Sequence, residues 1–409
     1  MDYKLMNYRT RIITQLAEIR QSDWDQLLVQ QNEATPFLRY DFLAALEATH
    51  CACERSGWST HFVTLWQRVA DGAGEQLVAA LPMYAKTHSY GEYVFDWAWA
   101  DAYQRHDLPY YPKLLSAIPF TPVMGNRLLA VDAPARQALL ETALALARES
   151  KMSSLHVLYP PAAEAQQWVD AGMMLRTGVQ FHWQNQGYTD FEQFLESLER
   201  KKRKNIRAER RKVAEAGVTF RRIRGQDATP EDWAFFTLCY NRTYREHGST
   251  PYLNLPFFSR IGQTMPENLL LIVAERASKQ IASSLLVYQQ DAQHSVLYGR
   301  YWGALEHIDC LHFETSYYQP LEFCIDEKIA VFEGGAQGEH KMARGFLPVV
   351  TYSAHWLAHP AFADAVANFL KRETGGMANY VSELEERNPF KTSVADSSSL
   401  LSITEPSDQ

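Results

Sequence analysis

Cysteine is scarce: there are five in 409 residues. None stands in a metal-ligand spacing, which excludes a disulfide framework and points to a reducing compartment. Cys51 and Cys53 form only a C-x-C and read as structural. No apolar run reaches the roughly 18 residues that a membrane span requires. Met1 to Leu16 carries charges and no apolar stretch, so no secretory signal is expected. The chain therefore reads as cytoplasmic, without stable membrane insertion. A formal net charge of −8 excludes nucleic-acid binding by bulk electrostatics. G-x-S-x-G, G-x-x-x-x-G-K-[S/T] and G-x-G-x-x-G are all missing, so hydrolase-elbow, P-loop and dinucleotide-binding readings lack support. His307 and His312 with Cys310 between them fit no common zinc pattern, and no metal is expected.

What is plentiful is aromatic: 10 Trp, 21 Tyr and 20 Phe, suited to deep, partly polar pockets as well as to cores. The length predicts two domains. The first half reads as helices through Trp24–Leu28 and Tyr40–Thr49, then extended segments His61–Arg68 and Gln76–Lys86, with a hairpin signal at Asp71, Gly72 and Gly74. An irregular aromatic stretch, Tyr90–Gly125, precedes a helix Pro134–Ser150, a strand Ser154–Tyr159, a helix Pro161–Ala171 and a strand Leu175–Trp183. The second half opens on one long helix, Thr189–Ala216, started by a Thr189–Glu192 capping box. A strand Val218–Ile223 follows, then a helix from Pro230 to Gly248. Three strands come next: Leu269–Arg276, Ile281–Tyr288 and His294–Trp302, with short turns that make them antiparallel neighbours. The helix Phe313–Lys328, strand Ala330–Glu333, strand Val349–Trp356 and helix Pro360–Thr374 complete it. The expected fold is α/β (α+β), with domains at 1–186 and 187–387 repeating one topology and a polar, disordered tail at 388–409.

Three stretches carry candidate chemistry. In the first, four glycines around Gly334 and Gly345 imply backbone that approaches something closely or takes positive φ. That turn delivers Gln337, Glu339, His340, Lys341 and Arg344, either as a site or as a solvated charged loop. In the second, Arg200, Lys204, Arg207 and Arg211 are spaced i, i+4, i+7, i+11 and share a helix face. Stacked like charges destabilise a bare helix. Either the face is simply solvated, or RNA, a nucleotide-bearing cofactor or a lipid phosphate sits against it. In the third, Asp96, Trp97, Trp99 and Asp101, with Tyr110 and Tyr111 after them, are either a core plug or a pocket wall. The two aspartates either cap turns or hold an amine. Arg300, Tyr301 and Trp302 end a strand, and His312 and Glu314 open a helix. Glu314 needs no function there, being favourable beside the helix dipole.

Several of these runs resemble known ones. Lys204-Asn205-Ile206-Arg207 through Gly217-Val218 is similar to the opening of the second domain in Fem-type peptidoglycan aminoacyltransferases. Tyr298-Gly299-Arg300-Tyr301-Trp302, Leu311-His312-Phe313-Glu314 and Gly335-Ala336-Gln337-Gly338-Glu339-His340-Lys341 resemble a predicted N-acyltransferase family related to them. Phe95 to Ala100 and Tyr110 to Leu115 do so too. The resemblance spans about Phe37 to His355. It implies two tandem GNAT-like acyltransferase domains, each with a mixed, largely antiparallel sheet, and transfer of an acyl or aminoacyl group to an amine. The acceptor would be a small molecule or a cell-wall precursor. Acetyl-CoA-binding GNAT domains carry an R/Q-x-x-G-x-G/A turn whose amides cradle pyrophosphate. The corresponding junction here, Trp302 to Phe313, has only Gly303. Fem-type enzymes lack that turn and use charged tRNA, so the co-substrate is aminoacyl-tRNA or acyl-CoA, with no tightly bound cofactor. On this basis Lys341 and Arg344 are expected to stabilise an anion. Glu339 or His340 would take the amine proton, Arg300 orient a carboxylate or phosphate, and Trp97, Trp99, Tyr110 and Tyr111 wall the acceptor cleft. The alternative is a binding module for a cell-wall precursor, a phospholipid head group or RNA.

Overall fold

The computed structural model describes residues 8–69, 74–336 and 338–391. Its strands, in chain order, are β1 (Tyr8–Ile13), β2 (Trp58–Thr60), β3 (Phe62–Arg68), β4 (Glu75–Leu81), β5 (Tyr84–Lys86), β6 (Lys113–Ser116), β7 (Leu129–Ala130) and β8 (Ser154–Leu158). They continue with β9 (Met174–Gln184), β10 (Val218–Arg224), β11 (Leu269–Arg276), β12 (Lys279–Gln290), β13 (Ser295–Ala304), β14 (Val331–Ala336) and β15 (Leu347–Leu357). The inner parts of β3, β4 and β11, Phe62–Trp66, Leu77–Leu81 and Leu269–Ala274, are continuous buried runs that are apolar except for Thr64, as strands covered on both faces tend to be.

The expectation of two domains, each with its own sheet, is overturned. The strands form one eleven-stranded sheet, β10-β11-β12-β13-β14-β9-β15-β8-β6-β5-β2, and a small four-stranded sheet, β1-β3-β4-β7. The sequence halves do repeat a pattern, in which a parallel pair (β6 with β8, β13 with β14) is followed by one last antiparallel strand. The last strands are exchanged. β9 leaves the first half to pair with β14, and β15 returns to pair with β8. β9 and β15 then pair with each other along nine residues of register, Leu347 opposite His182 through His355 opposite Met174, which welds the two sheets into one. Exchange of this kind is invisible to periodicity, because each strand keeps its own alternation whichever neighbour it meets.

The small sheet has a local cause. The β2–β3 and β4–β5 segments form one bent hairpin, held at the bend by the His61 amide donating to the Met83 carbonyl at 2.8 Å. Pro82 lies in that bend and has no amide to continue the ladder. The outer end of the hairpin joins β1 and β7, the inner end the large sheet. The turn residues Asp71 and Gly72 lie outside the described residues.

Other differences are local too. The long basic helix is two helices, Phe191–Ser197 and Arg200–Glu215. The chain returning at Pro389–Lys391 pairs with the break: the Glu199 amide donates to Pro389 and the Lys391 amide to Ser197, both at 2.9 Å. The first of these helices is capped by Asp190, not Thr189. The final helix extends to Glu385, helix Trp97–Arg105 lies where irregular chain was expected, and helix Leu255–Thr264 lies in a stretch for which no element was expected. Of the tail predicted from Asn388, residues 392–409 lie outside the described residues. Among the described residues, no helix is long and apolar enough to cross a membrane.

Candidate functional site

The parallel strands β13 and β14 stay paired only from Val296 opposite Val331 to Tyr298 opposite Glu333. Beyond that point they part. Gly299–Trp302 lines one side of the fork and Gly334 the other, with Phe332 at its base. The fork encloses about 80 Å³. Leu285 pairs with Tyr301 and Leu286 with Gly299, so Arg300 has no partner on β12 and is the extra residue of a β-bulge. Bulges re-aim a side chain. This one turns Arg300 into the fork, where it meets the Glu333 carboxylate at 2.6 Å and the Gly299 carbonyl at 3.0 Å. The Arg300 Nε is buried without a partner.

Lys341 comes in from the other side. Its turn, Glu339–Arg344, is a 3-10 helix bounded by Gly338 and Gly345, both at positive φ. The ammonium donates to the Gly335 carbonyl at 3.0 Å. A Cβ on Gly335 would stand 3.3 Å from the Gly299 carbonyl and 3.8 Å from an Arg300 nitrogen, so this glycine lets two cations flank one point. Burial, and then the Arg300 charge, push the Lys341 ammonium down to about 7. Next to Glu333 stands His182 on β9, 3.9 Å from its carboxylate and 3.4 Å from Gln180. Burial outweighs the pull of Glu333 and lowers its pKa, so the imidazole is neutral near pH 7. The third wall is a π-helical turn, Glu314–Tyr318, inside the helix that begins at Leu311. Such turns recur at functional sites. This one presents Ser316 and Tyr317 to the fork, with His312 one turn earlier. The Trp302 ring lies tilted against His312 at 4.4 Å, and burial pushes that imidazole down to about 4.

The remaining predicted residues disperse. Arg344 is buried beyond the fork, bonded to Glu209 at 2.9 Å and lying 3.5 Å over the Phe313 ring. Tyr318 also bonds Glu209. Glu314 holds Arg210, and Tyr301 packs edge-on against Tyr240. His340 is exposed, with the Tyr317 hydroxyl 3.3 Å away. Glu339 is on the surface, bound to Arg387 and Tyr380 at 2.9 Å each. Gln337 lies outside the described residues. Arg200, Lys204, Arg207 and Arg211 are exposed. Arg207 is paired with Glu192 and Arg211 with Glu215.

In the first half the predicted aromatic and acidic residues build a buried network. The Lys113 ammonium bonds Ser89 and Glu92 at 2.8 Å each, and Asp96 at 2.5 Å. Asp96 accepts from the Tyr110 hydroxyl at 2.6 Å, which lies 3.1 Å from His156. His156 meets His355 across β8 and β15 at 2.8 Å, and His355 meets Ser353 at 2.9 Å. Tyr111 joins through Ser89, and Trp99 packs on His355. Burial would raise Asp96, but Lys113 and His156 hold it well below the usual carboxylate range. Asp101 stays at the surface beside Arg105. Sequence reading missed Lys113, His156, His182, Glu333 and His355. Their only signal is a polar residue in an apolar strand.

The match to a family model decides the relationship. A model described as FemAB-like, peptidoglycan biosynthesis/recognition, matches residues 15–392. The chain belongs to the FemAB-like family. Its fold is that of FemX, at 12% identity and a TM-score of 0.50, over 84% of this chain and 98% of that one. It is also that of the C-terminal domain of an Agrobacterium fabrum protein assigned as a lysylphosphatidylglycerol synthetase, at 10% identity and a TM-score of 0.50, over 87% and 96%. No curated protein matches the sequence. The FemAB-like chain thus has an acyltransferase-like fold.

Proposed function

We propose that this FemAB-like protein transfers an aminoacyl group from charged tRNA to an amine of a cell-wall precursor, at the fork between β13 and β14. The observation that carries this reading is the pair of buried cations, Arg300 and Lys341, set on either side of Gly335. The amine nitrogen attacks the ester carbonyl, and the carbonyl oxygen gains charge beside Lys341 and Arg300. The C–O bond to the tRNA hydroxyl then breaks. Preorganised donors at such a point are the main catalytic requirement of the reaction. His182, neutral and buried, takes the amine proton and passes it to the leaving oxygen. Glu339 is committed to Arg387 and Tyr380, away from the fork.

Two features favour tRNA over acyl-CoA as donor. Gly303 does not belong to a phosphate cradle, because a Cβ there would collide with the Cys239 carbonyl. It is the point where β13 touches the Pro230–Glu246 helix. Arg200-Lys201-Lys202-Arg203-Lys204 open their helix with no carboxylate partner among the described residues. The same helix reaches the fork's outer wall through Glu209 and Arg344. Nine residues of helix separate Arg200 from Glu209, about 14 Å. The test is binding and transfer with a charged tRNA pool against acetyl-CoA over a salt series. Transfer from tRNA, with binding that falls steeply as salt rises, is expected. Transfer from acetyl-CoA alone overturns the donor, and transfer from neither overturns the enzyme.

A further inference from the structure

The turn that carries Lys341 is a weak structure by itself. Glu339–Arg344 is six residues of 3-10 helix, longer than such helices usually run. It connects β14 to β15 and is flanked by two glycines at positive φ. Yet Lys341 within it is only 3% exposed and sits within hydrogen-bond distance of the Gly335 carbonyl. A short turn between glycines keeps such a position only if chain outside it holds the ends.

One stretch of chain reaches both ends. At the first, Glu339 accepts from the Tyr380 hydroxyl and from Arg387, at 2.9 Å each. At the other, Gly345 turns at φ +86°, and a Cβ there would stand 3.0 Å from the Phe194 ring and 3.3 Å from the Phe390 ring. Phe390 packs on the core cluster that holds Phe194, Met342 and Phe346. It is fixed in turn by a bridge to Leu198, flanked by the Glu199 and Lys391 amide bonds already described. The two contacts differ in weight. The Arg387 and Glu339 side chains are 59 and 49% exposed, and an exposed ion pair holds weakly. The packed Phe390 ring is the firmer hold.

We propose that Tyr380–Lys391 is a strap that seats Lys341 at the fork, with Phe390 as its main positioning residue and Arg387 and Tyr380 as weaker ones. None of the three lines the fork. The same strap closes the break before Arg200, so one piece of chain holds the Lys341 turn against the helix assigned to the donor. Seating of this kind leaves a mark on the ammonium. Around Lys341 stand Arg300 on β13, Glu333 on β14, His182 on β9 and His312 before the π-helical turn, with His340 and Arg344 in its own turn. Burial, and then Arg300, keep the ammonium low. A turn that loosens lets water in and moves the ammonium away from Arg300, and both effects raise it.

This inference rests on the assignment of Lys341 to the reacting carbonyl, and its test uses no substrate. The full chain is prepared with isotope-labelled lysine, and the Lys341 signal is identified by its loss in Lys341→Arg. Its titration is then followed by NMR. Phe390→Ala, which changes no charge, is expected to raise the Lys341 midpoint from about 7 by about one pH unit, toward the ordinary lysine value. Phe390→Leu, which keeps a packed side chain, should restore most of it. Arg387→Ala should raise it by only about 0.3 unit, as an exposed pair would. A merely structural role for Phe390 would lower the unfolding midpoint and leave the titration where it is. An unchanged Lys341 midpoint in Phe390→Ala therefore overturns the strap, whatever the chain transfers. A raised midpoint, restored by leucine, in a chain that transfers nothing keeps the strap and overturns the transferase reading.

Discussion

The two halves of the large sheet each bury a charged network, and the two are built differently. Between β6 and the loop before it, Lys113 meets three acceptors with three donors, and a chain of polar groups runs through Asp96, Tyr110 and His156 to His355. Between β13 and β14, Arg300 keeps an unpartnered nitrogen, and burial, then the Arg300 charge, push the Lys341 ammonium down. The exchanged strands make equivalent antiparallel pairings: His156 faces His355 where Glu333 faces His182. Both networks leave polar atoms buried without a partner, Glu92 Oε1 and Asp96 Oδ1 in the first half and Arg300 Nε in the second. The difference is one of charge: Lys113 is held by two carboxylates, and Lys341 lies beside a second cation. On the proposed reading, the first network serves as scaffold and the second as the reaction site.

Removing the central lysine of each half sharpens that contrast. Lys113→Met leaves Asp96 buried without its ammonium partner and Glu92 with only Lys86, 4.0 Å away, and about 3–5 kcal/mol of stability is expected to go. Denaturant unfolding measures it, and a rate loss with unchanged stability would put chemistry in the wrong half. Lys341→Met should do the reverse. The transfer rate falls by about 10² to 10³, the usual cost of one oxyanion donor. The unfolding midpoint stays or rises, because an ammonium pushed down to about 7 is one that the fold already disfavours.

That depressed lysine also sets a pH limb. The ammonium form that stabilises the oxyanion is present below about 7 and lost as pH rises through it. kcat/KM should therefore fall about tenfold per pH unit above that point. Lys341→Arg, slower but cationic throughout, should lose the limb. A limb that survives the substitution belongs to another group, and the oxyanion role then passes to Arg300 alone.

How much of this could be read beforehand follows from what each residue type advertises. The glycine turn and Arg300 were legible because glycines beside mixed charges are unusual in any setting. The hairpin β11–β12–β13 was legible because its apolar runs and short turns are local. The fused sheet was not, since β9 and β15 look the same whether they pair at home or abroad. His182 and Glu333 were hidden for the same reason: they meet only because β9 crosses to β14. Asp96 and Tyr110 were marked as groups of interest, but their partner Lys113 starts a four-residue strand that sequence reading left as irregular chain. Glu339 looked like a base because it adjoins His340 in sequence, yet the 3-10 turn sends it outward to Arg387.

The smallest effect probes the basic helix, where function and stability pull apart. Arg200 and Lys204 sit in the first turns of the Arg200–Glu215 helix, at the positive end of its dipole. Cations there repel both the helix end and each other, and no carboxylate among the described residues offsets them. Arg200→Gln with Lys204→Gln should therefore stabilise the free protein slightly, by about 0.3 kcal/mol for each residue at low salt. The same variant should lower the salt dependence of tRNA binding by about one unit of log–log slope for each phosphate contact removed. A gain in stability together with a loss in slope identifies a face kept against its own folding preference. A variant with unchanged slope leaves a solvated stripe, and the donor must then dock on the fork without it.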